Sequence, residues 1–412
     1  LAGEKMMMGL DIGSETVRCV IGSVGRDDQL MVDSICERAS EGVLHGTIIN
    51  IESAVRSINS VINEAQMLAG TEINDVIIGV GGESVQGIMS QGVVSISDPD
   101  QEIKKEDVFR SMEVARAFAL PSDREIIHSL VQDFKIDGRS GIKDPIDMLG
   151  HRLETKVLVV TASSVLCQTH RKCVQRLGLD VLRTTLQSLA DADVTLSSED
   201  KEMGTILINI GAGTTDMIVY SGGTPMYTGG VNLGGESVTE DIAQILGKTK
   251  AIAEQLKLEY GHCYVPSVSS DEMVLIPQAG NLPAIRLPKR ELSKIIEARM
   301  AEIFSRLQNK LRSVPDLGNI GGGVVLVGGG AMMSGIADLA TEIFRMPCRV
   351  GFPEAIGGLD RNYISPQYTT VLGLLKSNTK KHLESSSDVP RRKGKKDGGV
   401  VRKVSNFFRS IF

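Results

Sequence analysis

Two stretches of this chain, about two hundred residues apart, carry the same local pattern. Residues 6–24 are apolar, turn polar at Asp11-Ile12-Gly13-Ser14-Glu15-Thr16, and become apolar again. Residues 205–220 repeat this with Asn209-Ile210-Gly211-Ala212-Gly213-Thr214 at the centre. Alternating apolar residues around a turn rich in Gly and Ser/Thr read as strand, turn, strand. A repeat at this spacing is one duplicated domain; solenoid units are far shorter. Around the copies lie apolar strands at 76–80 and 156–161 and amphipathic helices at 51–68 and 164–176. The expected class is α/β, with two related halves facing each other. At 412 residues the chain is also too long for one core.

Each half is expected to carry an insertion. In residues 84–155 we read a strand pair around 85–96, a helix near 105–118 and a strand over 124–136. Residues 236–310 read as mostly helical, interrupted by Pro266, Pro277, Pro283 and Pro288. Six cysteines are scattered without a Cys-x-x-Cys pair, which argues against a zinc or iron–sulfur centre and fits a reducing compartment. Aromatic residues are 4% of the chain and Trp is absent, so stacking platforms for nucleic acid are not expected. No apolar run reaches the roughly 18 residues of a membrane span, and no secretory leader is read at the start.

A Gly- and Ser/Thr-rich hairpin turn aims several backbone N–H groups at one point, a concavity suited to an anion. One such turn usually only reverses the chain. Two in matching positions of a repeat can clamp the phosphates of one nucleotide, through Gly13, Ser14, Glu15 and Thr16 on one side and Gly211, Ala212, Gly213, Thr214 and Thr215 on the other. Two further glycine clusters extend this pocket. Gly234-Gly235 opens a helix whose amides and dipole favour an anion or a ribose hydroxyl. The strand 324–327 ends in Gly328, Gly329 and Gly330 before a helix expected near Ser334, leaving a turn against which a flat base can slide. No Lys follows at Walker spacing, and there is no Rossmann fingerprint.

Together these four glycine elements resemble the actin superfamily, which includes heat-shock chaperones and sugar kinases. Over nearly all of residues 6–412 the chain more closely resembles the FtsA family of actin-like cell-division proteins. Residues 253–261 are similar to that family's helix whose Glu254 and Lys257 contact the adenosine. Gly141-Ile142-Lys143-Asp144-Pro145, ahead of residues 153–160, resembles its characteristic insert, and residues 368–375 its second connecting helix. The resemblance implies a subdomain 1A of residues 1–83, 159–203 and 351–376, and an inserted 1C of 84–158. It places 2A at 204–235 and 315–350, and 2B at 236–314. A disordered linker, 377–398, and an amphipathic membrane-targeting helix, 399–412, complete the division.

The same resemblance implies ATP and Mg2+ as cofactors, with Asp11 holding the metal through water and Gln187 positioning the attacking water. Asn209 stands where many relatives carry Asp. A neutral amide serves a hydrated cation less well than a carboxylate, so at most a weak ATPase is expected. The implied partners are further copies of the chain in a filament, the FtsZ C-terminal peptide, membrane lipids and other division proteins. Nucleic acid is not among them. Arg299, in the helical insert, is the candidate FtsZ contact. The implied place is the cytoplasmic face of the inner membrane at the division site. The rival readings are a pilus-assembly adaptor of the PilM type, for which no C-terminal amphipathic helix is expected, and a small-molecule kinase, for which no catalytic base is identified.

The charge distribution agrees with a membrane-facing tail. From Lys376 to Phe412 there are eleven Lys/Arg and three Asp/Glu, a net of +8, which leaves −14 on the rest of a chain whose total is −6. Val400, Val401, Val404, Phe407, Phe408 and Ile411 fall on one helical face, with Arg402, Lys403 and Arg409 off it. About 14 residues make a helix of roughly 21 Å, too short to span a bilayer and suited to lying among headgroups.

Overall fold

The computed structural model describes residues 5–25, 29–118, 120–277, 283–315 and 317–377. From residue 378 onward the linker and amphipathic segment lie outside the described residues.

The duplication is visible sheet by sheet. The first half is a five-stranded sheet in the order Asp180–Leu186, Asp75–Val80, Lys5–Ile12, Thr16–Val24, Leu30–Ala39. The second repeats it as Cys348–Val350, Val324–Val327, Thr205–Ile210, Thr215–Ser221, Thr224–Val231. In both, the central strand runs antiparallel to its hairpin partner and parallel to the strand on its other side. The registers also correspond: Asp11 faces Arg18 as Asn209 faces Asp216.

Helices cover these sheets because their apolar residues recur on one stripe. The helix Ile51–Ala69 buries Ala54, Ile58, Val61, Ile62 and Ala65; Asn50 caps its start, and Gly70, at φ 64°, ends it in the left-handed region. The last described helix, Thr369–Lys376, packs on the first sheet through Val371, Leu372 and Leu375. It comes so near that a Cβ on Gly9 would sit 3.1 Å from the Leu375 amide nitrogen. Over the second sheet, the helix Lys289–Arg312 places Leu292, Ile296, Met300, Ile303, Phe304 and Leu307 in one core with Ile206, Ile208 and Ile210. The proline-rich break in this insert holds a small hairpin, Met273–Ile276 with Ile285–Pro288.

The first insertion is a four-stranded sheet, Gln86–Ser95, Arg152–Ser163, Arg124–Ile136 and Arg139–Ile142, backed by the helix Lys105–Arg116. Two sequence expectations change here. The strand pair around 85–96 is one ten-residue strand, paired with Arg152–Ser163. Its Gly92 serves close approach, since a Cβ there would overlap the Ser111 carbonyl of the backing helix. The boundary drawn at residue 158 falls inside the continuous strand Arg152–Ser163, which carries the insert's sheet back toward the body.

Candidate functional site

Both hairpins close with the same bond. The Gly13 N–H donates to the Thr16 carbonyl at 3.1 Å, and the Gly211 N–H to the Thr214 carbonyl at 2.9 Å. The two turn tips touch: a Cβ on Gly213 would collide with Ser14 Oγ, which itself accepts from the Gly46 N–H at 2.9 Å. His45 Nδ1 lies 3.0 Å from the Gly213 carbonyl. Behind this contact opens a cleft of about 510 Å3, walled by both turns, Gly235, Glu254, Lys257, Gly328, Gly329, Gly330 and Gln187. A volume of this size is within the range of small-molecule sites.

Two of the sequence-selected residues stand behind the wall. Thr215 Oγ1 donates to the Leu233 carbonyl at 2.8 Å and pins the hairpin to the following segment. Gly234 makes room for the second turn, because a Cβ on it would overlap the Gly211 carbonyl. That proximity also corrects the expectation for the helix Gly235–Leu246. Its first amides are already committed, Gly235 N–H to the Gly211 carbonyl at 2.9 Å and Glu236 N–H to that of Ala212 at 2.8 Å. What this corner offers the cleft is side-chain chemistry. Lys257 Nζ binds the Gly235 carbonyl at 3.0 Å, Thr239 Oγ1 at 2.8 Å and Glu254 at 2.8 Å. The lysine charge is thereby held by protein groups, and the Glu254 carboxylate, also bonded by Thr239 Oγ1, is fixed at the cleft wall.

The three glycines after Val324–Val327 differ sharply. Gly328 has φ 84°, and a Cβ on it would collide with Asn209 Oδ1. One on Gly330 would collide with the Ile210 side chain. Gly329 has nothing within 4 Å of its absent Cβ and borders the cleft. A single-turn 3-10 helix, Gly329–Met332, intervenes before the helix Ile336–Phe344, which therefore starts two residues later than the expected Ser334.

Two buried carboxylates, Asp11 and Asp216, line the cleft, and a third, Asp191, lies behind its wall. Asp11 is buried and accepts from Gln187 Nε2 at 2.7 Å. Burial raises its pKa, opposed by the Arg18 charge and by the Gln187 bond. Gln187 is the first residue of the helix Gln187–Thr195, so the end of the strand Asp180–Leu186 brings it to Asp11. Two more acids escaped the sequence reading. Asp216 accepts from the Gly82 N–H at 2.6 Å and Thr214 Oγ1 at 3.1 Å, and burial pushes its pKa up to about 6. Asp191 accepts from Asn209 Nδ2 at 2.6 Å and from Thr369 and Thr370 Oγ1, both at 2.8 Å; burial pushes it up to about 7. Asp216 directly follows the second turn and could have been found there. Asp191 leaves no such signal.

Arg299 is already engaged. Its Nε and Nη2 bind Asp241 at 2.6 and 2.8 Å and its Nη1 binds Glu302 at 2.5 Å, joining the helices Gly235–Leu246 and Lys289–Arg312.

Comparison with known proteins decides the family. The model for cell division protein FtsA matches residues 206–373, and that for the SHS2 domain inserted in FtsA matches residues 82–161. A cell division protein FtsA of Borreliella burgdorferi is 40% identical over 372 residues, 90% of this chain and 90% of its own length. The chain belongs to the FtsA family. An FtsA of Pseudomonas aeruginosa is 37% identical over 383 residues, covering 93% of this chain and 91% of its own. Solved structures share the fold at lower identity. The PilM–PilN type IV pilus biogenesis complex matches with a TM-score of 0.62 at 16% identity, over 90% of this chain and 97% of that one. MreB5 of Spiroplasma citri bound to ADP matches with 0.55 at 13%, over 91% and 96%. The fold is actin-like, and the SHS2 match over residues 82–161 takes in most of the inserted four-stranded sheet. Identity of 40% to FtsA against 16% to PilM separates the family from the rival adaptor reading.

Proposed function

We propose that this FtsA-family protein binds ATP with Mg2+ in the cleft between its halves, assembles into filaments, and tethers FtsZ filaments to the cytoplasmic membrane at the division site through residues 399–412. The observation that carries the nucleotide reading is the pair of identically closed turns meeting at Ser14 and Gly213 above one cleft. Around it, the residues fit the ligand. Gly329 leaves a bare backbone surface for a base, and Glu254, on the cleft wall, would accept from a ribose hydroxyl. Asp11 supplies acceptor oxygen at the floor.

Among the described residues, no three metal-ligating side chains converge closely enough to hold a bare ion. A magnesium ion would be held by phosphate and by waters bonded to Asp11 and to Asn209 Oδ1, and would supply charge neutralisation on the phosphates. Gln187 is the candidate to orient an attacking water, and its bond to Asp11 fixes its side chain at the floor. MreB5, which shares the fold, was captured with ADP.

The tail supplies the membrane contact. Its apolar face would enter the acyl boundary, and each Lys/Arg near an anionic leaflet would add about 1 kcal/mol. One molecule then binds reversibly, and a filament binds firmly through avidity. FtsZ binding falls on the helical insert 236–310. The test is co-sedimentation of the full chain with anionic liposomes, labelled ATP and purified FtsZ, with and without residues 399–412. Loss of liposome and FtsZ pelleting but retention of ATP on truncation is the expected result. A truncated protein that still pellets with liposomes would overturn the tethering role.

A further inference from the structure

Asp191 belongs to neither hairpin, yet it is bonded to the second one through Asn209. It sits on the helix Gln187–Thr195, fully buried, between the second half's central strand and the last described helix. Its Oδ2 accepts from Asn209 Nδ2 at 2.6 Å, and its Oδ1 accepts from the hydroxyls of Thr369 and Thr370. Asn209 Nδ2 also reaches Thr370 Oγ1 at 3.0 Å. The Thr370 hydroxyl has one proton, directed at Asp191, so it presents a lone pair to Asn209. Both neighbours of the Asn209 amide nitrogen are therefore acceptors. With Asp191 ionised, the form its three donors favour, turning the amide over would set its carbonyl oxygen against a carboxylate.

That constraint has a consequence in the cleft. Asn209 lines it, and with its nitrogen directed inward the group it has left to offer is the acceptor oxygen. Waters around a divalent cation present protons outward, so an acceptor is what a hydrated cation requires. We infer that Asp191 is a positioning residue of the nucleotide site, holding Asn209 with Oδ1 toward the cation that accompanies the phosphates. The inference rests on the nucleotide reading above. It also changes the meaning of Asn209. An Asp at 209 would meet Asp191 at hydrogen-bond distance in a buried site, so the amide is the complement of Asp191 and no longer reads as a weakened carboxylate. The same carboxylate ties the site to Thr369 and Thr370, which links the phosphate end of the cleft to the helix closing the first half.

The experiment measures affinity for a fluorescent ATP analogue, with Mg2+ and with EDTA, on the full chain carrying no substitution, Asp191→Asn, or the exchanged pair Asp191→Asn with Asn209→Asp. Asp191→Asn should leave the EDTA affinity within about twofold and reduce the Mg2+ enhancement about tenfold, the scale of one hydrogen bond to a charged group. The exchanged pair should restore the enhancement, because the carboxylate then stands on the cleft side with an amide behind it. A merely structural role would lower both affinities together. Wild-type enhancement in Asp191→Asn, or a folded exchanged pair without enhancement, overturns the inference. If Asp191→Asn does not fold, the exchanged pair decides alone, and its own failure to fold counts against the inference. Absence of nucleotide binding by the unsubstituted chain would instead sink the nucleotide reading itself.

Discussion

Replacing Gly329 with Leu separates the cleft's function from the protein's stability. Gly329 is the one member of its glycine run with open space at the Cβ and no positive φ. The new side chain therefore enters the cleft without straining the backbone, and loss of glycine freedom in the unfolded chain favours the fold by about 0.4–1 kcal/mol. A base lying against this backbone must move or overlap the added carbons. Overpacking of this kind costs about 1–3 kcal/mol, or roughly 5- to 150-fold in affinity. The flanking glycines provide the contrast. At Gly328 the φ of 84° and the collision with Asn209 Oδ1 make the same substitution destabilising, as does the collision with Ile210 at Gly330. Fluorescent-nucleotide titration beside thermal melting resolves the three variants. Gly329→Leu should bind weakly and melt at or above the wild-type temperature, whereas the other two should melt lower. Unchanged affinity in Gly329→Leu would refute the placement of the base.

The fold raises the Asp216 pKa from 3.8 to about 6, so the folded state holds this proton more tightly and Asp216 subtracts stability as pH rises from about 4 to about 6. Urea melts across that interval should show a steeper decline for the wild type than for Asp216→Asn, and parallel curves would contradict the burial argument. For the tail, Phe407→Glu with Phe408→Glu should release the protein from liposomes while ATP binding persists. Neutralising Arg402, Lys403 and Arg409 should weaken binding less, and mainly on anionic lipid at low salt; equal loss on neutral lipid would count against the charge contribution. Arg299→Ala should lower stability by about 0.5–1 kcal/mol in chemical denaturation, with Arg299→Lys recovering little because it cannot bridge Asp241 bidentately. No loss would mean the pair contributes nothing to joining its two helices.

The duplicated hairpins were legible because strand alternation and turn glycines are local properties. The helix read at 51–68 needed only its apolar stripe to be found, and it spans Ile51–Ala69. What escaped was set by neighbours remote in the chain. The strand pair read around 85–96 becomes one strand whose Gly92 meets the helix behind it, and Gly234 looks like an anion site until the second turn is found against its helix. Asp191 sits in Ala190-Asp191-Ala192-Asp193, which reads as an ordinary helix start. Its hydroxyl partners lie 178 and 179 residues away, and only the closed fold joins them.

The helix Thr369–Lys376 covers a sheet whose hairpin strands end at Ala39, about 330 residues earlier. At roughly 5–20 residues per second, a ribosome takes tens of seconds to cross that interval. Through it, Met7, Val20, Val32 and Ile35 lack the apolar partners Val371, Leu372 and Leu375 that seal them in the finished protein. The second sheet, whose strands all lie between Thr205 and Val350, meets no such delay. The order of synthesis thus completes the first half's strands at Leu186, before the second half's begin at Thr205, yet leaves that older half without its sealing helix until the second half is made. The segment that follows Lys376 is synthesised only after the sealing helix, so the proposed membrane contact comes last in the order of synthesis.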